Sequence, residues 1–381
     1  MLTLAFDIGG TKISVVPVNT ITREIIETPL TIPTPNFLIH PSLSTEELQS
    51  LLVNTITDIV KAYQLRYQEI HTVGIAFAGA VTDKGVAHTA CSLWHGLDYP
   101  LQAKLSEELP GTKFVVVNDV AAAAQLYAEE DDTEDGYSIL YIAGTGVGSK
   151  VIDRKQKSVI LDRRGFAGEN GHVQVNFSAD AMPCDCGGTG CLNAEASGRA
   201  VERKLAIKSQ AWAEKYPILY PRSFLGRASI AGKLTNDIFI AAVKARDPFA
   251  ILLLGEITYF VALSIANALT LIGIDKVILI GGFIRALEED YLRSLRTSFL
   301  KIDFLRLNFT AAELDNLAVI GHKAHENLIG AGLIATRHPN SRIRQVPQDR
   351  KVDFWAKTSV PRPASPIEYQ VEASEPVAQL F

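Results

Sequence analysis

The sequence lacks an excess of positive charge and all but one long hydrophobic run. MLTLAFDIGG at the N-terminus has neither a basic n-region nor an apolar h-region, so secretion is not expected. In a reducing compartment the four cysteines stay reduced, which disfavours disulfides. Lys and Arg number 37 against 42 Asp and Glu, a net charge of −5. That balance excludes a general attraction to nucleic acid or to an anionic membrane. The one long apolar run, residues 248–272, is long enough to span a bilayer. Glu256, Ser264 and Asn267 interrupt it, no basic cluster flanks it, and a strand-like run at 277–280 follows. A helix buried in a large α/β domain is expected there, within a soluble cytoplasmic protein with no membrane partner.

What is present is an ordinary globular composition, 47% hydrophobic and 21% charged, with length for about two domains. The chemistry gathers in residues 165–198, GFAGENGHVQVNFSADAMPCDCGGTGCLNAEASG. Cys184, Cys186 and Cys191 follow His172, and three thiolates with one imidazole close a tetrahedral zinc site. Gly187, Gly188 and Gly190 allow the turns that converge the sulfurs. A disulfide or buried thiols remain alternatives, although a bridge between Cys184 and Cys186 closes a strained ring. Glu169, three residues before His172, sets a carboxylate beside the imidazole, a pair suited to gripping hydroxyl groups.

Residues 2–7 read as a buried strand and 12–18 as its hairpin partner, with Gly9-Gly10-Thr11-Lys12 between them. Such a turn suits a phosphate held by backbone N–H groups, although the P-loop spacing is absent and a plain hairpin turn fits too. Asp7 at the strand end suits hydrated Mg²⁺. Ser44-Thr45-Glu46-Glu47 is a capping box opening a helix. Strands are expected at 73–77, 114–117 and 137–143, a loop with a buried Trp94 at 92–101, and an alanine-rich helix at 120–128. Asn118-Asp119 ends the strand at 114–117, where a carboxylate faces a ligand crevice or caps the helix. Gly144-Thr145-Gly146-Val147-Gly148 is a second strand–glycine turn and Gly281-Gly282 a third. Further helices are expected at 192–204 and 318–336, irregular structure at 207–234, and a Pro-rich tail or linker at 338–381.

The runs DIGGTK (7–12), ND (118–119), GTGVG (144–148), ENGH (169–172), CDCGGTGC (184–191) and GG (281–282) resemble the ROK family of repressors, open reading frames and sugar kinases. The resemblance covers residues 1–337 and implies two actin-like (ribonuclease H-like) α/β domains around a nucleotide and sugar cleft. It divides the chain into 1–118, 119–317 with the zinc segment 169–191, and a final helix 318–337 packing back on the first domain. It implies that Gly9, Gly10, Thr11, Lys12, Gly144, Thr145 and Gly146 hold ATP phosphates, that Gly281 and Gly282 lie near the adenosine, and that Asp7 positions Mg²⁺ through water. Asn118, Glu169, His172 and Glu195 would bind a small-molecule sugar, with Asp119 as general base. His172, Cys184, Cys186 and Cys191 would hold Zn²⁺. A homodimer is the family's usual assembly.

The chain departs from that pattern at three places. Asn193 stands where the family usually has a sugar-contacting Glu, with Glu195 two residues on; Ser92 replaces an Asn; and Ser149-Lys150 follows the second turn where a small residue is usual. The expected activity is ATP-dependent phosphorylation of a hexose or N-acetylhexosamine. The alternative is a non-catalytic sugar sensor. A repressor is not expected, because the first strand begins at Leu2 without room for a helix-turn-helix.

Overall fold

The structure, a computed structural model, describes residues 1–90, 93–130, 135–302 and 310–337. The expectations for Ser92 and for the tail at 338–381 therefore lie outside the described residues. The opening hairpin is β1 (Leu2–Ile8) and β2 (Lys12–Asn19), with β3 (Glu24–Ile25) and β4 (Leu30–Pro33) both pairing with β2. Helix α1 (Thr45–Arg66) starts at the capping box, where the Ser44 hydroxyl accepts from Glu47 N–H and the Glu47 carboxylate accepts from Ser44 N–H. Strand β5 (Thr72–Phe77) returns beside β1, and β6 (Ala87–Thr89) and β7 (Leu97–Tyr99) form a separate ribbon. Trp94 between them is buried, as expected of an aromatic anchor. Helix α2 (Leu101–Glu108) leads to β8 (Lys113–Asn118), which closes the first sheet in the order β3-β2-β1-β5-β8.

Helix α3 (Asp119–Glu130) then crosses to a second sheet. Its strands are β9 (Tyr137–Ala143), β10 (Val147–Asp153), β11 (Ser158–Val159), β12 (Ile274–Ile280) and β13 (Ala318–Ile320), in the order β11-β10-β9-β12-β13. Each sheet is an antiparallel hairpin followed outward by two parallel strands. The same plan is thus used twice, and in both copies the hairpin turn is glycine-rich.

Between β11 and β12 lie α4 (Leu192–Ala196), α5 (Gly198–Lys215), α6 (Phe224–Ile230), α7 (Asn236–Lys244) and α8 (Pro248–Ile272). The single helix expected at 192–204 is broken at Ser197, whose hydroxyl accepts from Ala200 N–H and restarts the chain as α5. The irregular stretch expected at 207–234 is largely helical. Pro217 and Pro221 delimit its helices, and Trp212 and Tyr220 pack with Phe249 in the core of the second sheet. Asp247 caps α8 by accepting from Phe249 and Ala250 N–H groups, and Gly273 ends it in the left-handed conformation. Among the described residues α8 is the one helix long and apolar enough to cross a membrane, but most of its apolar window is buried against the second sheet and its neighbours.

After α9 (Gly282–Leu287), α10 (Glu289–Phe299) and α11 (Ala311–Leu317), the chain corrects a third expectation. The run 318–336 opens as strand β13, parallel to β12, and only Glu326–Thr336 is helix α12. That helix does pack back on β1 and β5 of the first sheet and on α3. The approach demands glycine: a Cβ at Gly330 would lie 1.7 Å from the Ala122 carbonyl oxygen, and one at Gly74 would lie 2.0 Å from that of Ala331. Gly330→Ala is therefore expected to push α12 off α3 and destabilise the protein by about 2–4 kcal/mol. A urea titration reading the unfolding midpoint checks this, and a change below about 0.5 kcal/mol would contradict it.

Candidate active site

Parallel pairing brings the first carboxylates together. Asp7 on β1, Ala76 on β5 and Val117 on β8 stand in register, so Asp7 and the Asn118-Asp119 pair reach the same carboxyl edge of the sheet. Asn118 Oδ1 accepts from Ala121 N–H three residues on, so Asn118 rather than Asp119 supplies the capping oxygen of α3. Its amide group donates to the Gly79 carbonyl at 3.0 Å and to Asp119 Oδ1 at 2.9 Å. Both amide hydrogens are thereby spent and the side chain is buried. As folded, Asn118 holds Asp119 in place.

Asp119 Oδ1 also accepts from Val120 N–H, leaving Oδ2 for the cleft. The residue is partly open to solvent, yet protein surrounds it closely. Burial above all, then the negative charges of Asp7 and Glu169, push its carboxyl up to about 7, against the lowering effect of the Val120 N–H and of Lys150. Burial likewise raises Asp7, whose Oδ1 accepts from Asn327 at 3.2 Å and which feels the Lys12 charge. Asp7 lies close enough to raise Asp119, and two such carboxylates form a donor set that fits a divalent cation.

The first glycine turn is fastened from behind. Thr34 donates to the Gly9 carbonyl at 2.8 Å, Asn36 donates to that of Gly10 at 2.9 Å, and Thr34 N–H donates to that of Thr11 at 3.1 Å. The N–H groups of Gly10 and Thr11 have no protein partner among the described residues, and Thr11 and Lys12 are exposed. The second turn repeats the device. Gly198 N–H donates to the Gly144 carbonyl at 2.8 Å, Asn193 Oδ1 accepts from Val147 N–H at 2.9 Å, and Thr145 and Gly146 are exposed. Asn193 thus braces this turn from behind. Gly281, at φ 110°, lies so close to β9 that a Cβ would stand 2.2 Å from the Ala143 carbonyl oxygen, which puts Gly281-Gly282 beside the second turn. Two turns with outward N–H groups are a ready cradle for phosphates.

Glu169 precedes the short 3₁₀ turn Asn170–His172 and is partly exposed. Lys150, buried on β10, lies 3.6 Å from Glu169 Oε1 and donates to the Ala167 carbonyl. Glu195 does not share this exposure: 1% exposed, it pairs with Lys204 at 2.6 Å and accepts from Asn176 and Met182 N–H, both at 2.9 Å. As folded, its carboxylate ties Lys204 to the cysteine segment.

His172 Nδ1 stands 3.6 Å from Cys184 Sγ, Cys186 Sγ stands 3.7 Å from Cys191 Sγ, and all four ligand atoms lie within 4.8 Å of one another. A tetrahedron with zinc–sulfur bonds of ~2.3 Å has edges of ~3.8 Å, so the four atoms fit that ion. The sulfurs are too far apart for a bond. Burial and then the neighbouring sulfurs push the Cys191 thiol up to about 12, a crowding that a cation relieves. The fourth cysteine, Cys91, lies outside the described residues.

Three residues of this site carried no assigned role in the sequence reading. Asn36 and Asn327 reach the first turn and Asp7 from distant segments and have no local signal. Lys150 did have one, a charge inside a strand otherwise destined for burial.

The ROK family model matches residues 3–338. The chain is 30% identical over 340 residues to the C(7)-cyclitol 7-kinase of Streptomyces hygroscopicus subsp. jinggangensis, covering 86% of this chain and 92% of that protein. It is 27% identical over 322 residues to the 2-epi-5-epi-valiolone 7-kinase of Actinoplanes sp., covering 80% and 85%. The crystal structure of a ROK family glucokinase from Streptomyces griseus, in complex with glucose and AMPPNP, superposes with a TM-score of 0.65 at 25% identity, covering 88% of this chain and 99% of that one. The fold is therefore the actin-like α/β fold of that glucokinase, and the activity is that of a sugar kinase, a phosphotransferase with an alcohol acceptor. With its two glycine turns, acidic strand ends and Cys/His cluster in the family's order, the chain belongs to the ROK family.

Proposed function

We propose that the protein transfers the γ-phosphoryl group of ATP to a hydroxyl of a small polyhydroxylated ring, with Asp119 as general base. The observation that carries this reading is Asp119 itself: a carboxylate with one oxygen fixed by Asn118 and Val120, held to a proton affinity near neutrality, beside Asp7 and Glu169. In phosphoryl transfer the protein mainly aligns the reactants and neutralises charge. Gly10, Thr11, Thr145 and Gly146 offer N–H groups to the phosphates, and Lys12 adds a positive charge. Asp7 would hold Mg²⁺, which would supply charge neutralisation at the phosphates. Asp119 takes the acceptor proton as the oxygen–phosphorus bond forms and ADP leaves. Glu169 and His172 grip the other hydroxyls. Zn²⁺ on His172, Cys184, Cys186 and Cys191 stiffens the wall that carries them, and a soluble cytoplasmic homodimer is the working form.

The acceptor is a hexose, an N-acetylhexosamine or a C7-cyclitol. The cyclitol is added because two relatives are kinases of that class and because Asn193, where the family usually has a sugar-contacting Glu, is committed to Val147. A coupled ADP-release assay across the three acceptor classes tests the reading. ATP turnover that depends on one of them supports it; no acceptor-dependent ADP release from any class would sink it. In the same assay Asn36→Ala is expected to raise KM for ATP about fivefold or more while leaving that of the acceptor within twofold, because it loosens only the first turn. Equal changes in both would contradict that division.

A further inference from the structure

Resting on the phosphotransfer reading above, we propose that Lys150 is a positioning residue of the acceptor site, fixing Glu169 in its grip on the substrate and balancing the charge of Asp119. Three observations carry this. Lys150 is 3% exposed, on a strand whose neighbours are apolar or small. An ammonium is taken out of water only where partners compensate it. Its partners belong to one segment: the Ala167 carbonyl, to which it donates, and the Glu169 carboxylate at 3.6 Å.

That segment is laid flat on the same strand. The Gly168 carbonyl accepts from Ser149 N–H at 3.1 Å and from the Ser149 hydroxyl at 3.4 Å. At Gly168, with φ 86°, a Cβ would meet the Ser149 carbonyl oxygen at 2.0 Å and Lys150 Cδ at 2.8 Å. Ser149 and Lys150 together therefore hold the backbone of residues 167–169, and Lys150 alone reaches past it to the carboxylate. A small residue at position 150, usual in the family pattern, would leave Glu169 without this tie.

The charges around the pair are few and identifiable. Lys150 feels Glu169, Asp119 and Asp162, each favouring its charged form against the burial that disfavours it. Asp119 feels Asp7 and Glu169, which hold its proton on, and Lys150, which draws it off. Removing the ammonium thus acts on two groups in distinguishable ways. It frees Glu169 to move, which weakens acceptor binding, and it makes Asp119 harder to ionise, which moves the acidic side of the rate profile.

The test compares wild type, Lys150→Met and Lys150→Arg in acceptor KM, ATP KM, thermal midpoint and the pH dependence of kcat/KM. In Lys150→Met the acceptor KM is expected to rise about tenfold, with ATP KM within twofold and the acidic limb moved to higher pH. A purely structural lysine would lower the midpoint without moving that limb or separating the two KM values. An unchanged acceptor KM together with an unmoved limb overturns the proposal. If Lys150→Met does not fold, Lys150→Arg decides: a limb left in place by the retained charge supports the role, and a limb displaced upward despite it overturns it. Wild type that turns over with the Met variant matching it removes this inference alone, whereas wild type without any acceptor-dependent turnover removes the underlying reading and this one with it.

Discussion

Asp119→Asn is expected to lower kcat by about 10³-fold while acceptor and ATP affinities stay within a few fold. The variant should fold, because Val120 N–H and the Asn118 amide both donate to Oδ1, which Asn retains. It should also be more stable than wild type at pH 8. Burial and like charge raise the Asp119 carboxyl from 3.8 to about 7, so the folded protein favours its neutral form. That contribution is present in full below the unfolded value and is lost as pH rises through the folded one. Ligand-free wild type should lose stability across that window, whereas the amide has nothing to ionise. Solvent access through the cleft reduces the effect well below the nominal shift, to about 1–2 kcal/mol. Isothermal binding, turnover, and calorimetry at pH 5 and pH 8 check all three parts. Loss of binding in step with turnover would remove Asp119 from the role of base. Wild-type kcat/KM should correspondingly fall on the acid side of about pH 7.

Cys186→Ser should reduce bound zinc from about one ion per chain to a small fraction and lower the unfolding midpoint by about 10 °C or more. Cys186 is the sharpest probe because it is the exposed sulfur of the cluster, whereas Cys184 and Cys191 are buried. Its replacement therefore removes a ligand without opening a cavity. With the ion gone, the bonds from Val175 and Asn176 to the Gly190 carbonyl still close the loop, but the cysteine turn and His172 lose the tie between them. Acceptor KM should rise more than ATP KM, because Thr34 and Asn36 fasten the first glycine turn away from this segment and the bond from Gly198 holds the second alongside Asn193. Metal analysis by mass spectrometry and differential scanning calorimetry give the two readouts. A metal-free variant with unchanged midpoint and acceptor KM would leave the cluster without a structural ion.

Features set by neighbours along the chain were legible in the sequence. The Ser44 capping box, the strand Tyr137–Ala143 and the helix Pro248–Ile272 follow from side chains a few residues apart, and the three strand–glycine junctions follow from glycine's backbone freedom. The cluster of His172, Cys184, Cys186 and Cys191 was also readable, because thiolate and imidazole within twenty residues suit a common metal ion, and the fold brings the four side chains together. The order of the motifs then pointed to the ROK family.

Tertiary structure decided what depends on distant partners. Residues 318–320 became a strand because β12 offered an open parallel edge, which overrode a helical pattern. Glu195 and Asn118 carry chemistry that suits a substrate; the fold also gives the first to Lys204, Asn176 and Met182, and the second to Gly79, Asp119 and Ala121. Lys150 passed as a departure from a pattern until folding set its ammonium beside Glu169. The sequence alone determined which reactive groups exist and roughly where the chain turns. Which of them stay free for a ligand was decided by packing, since a buried polar group must take whatever partner the fold brings within reach.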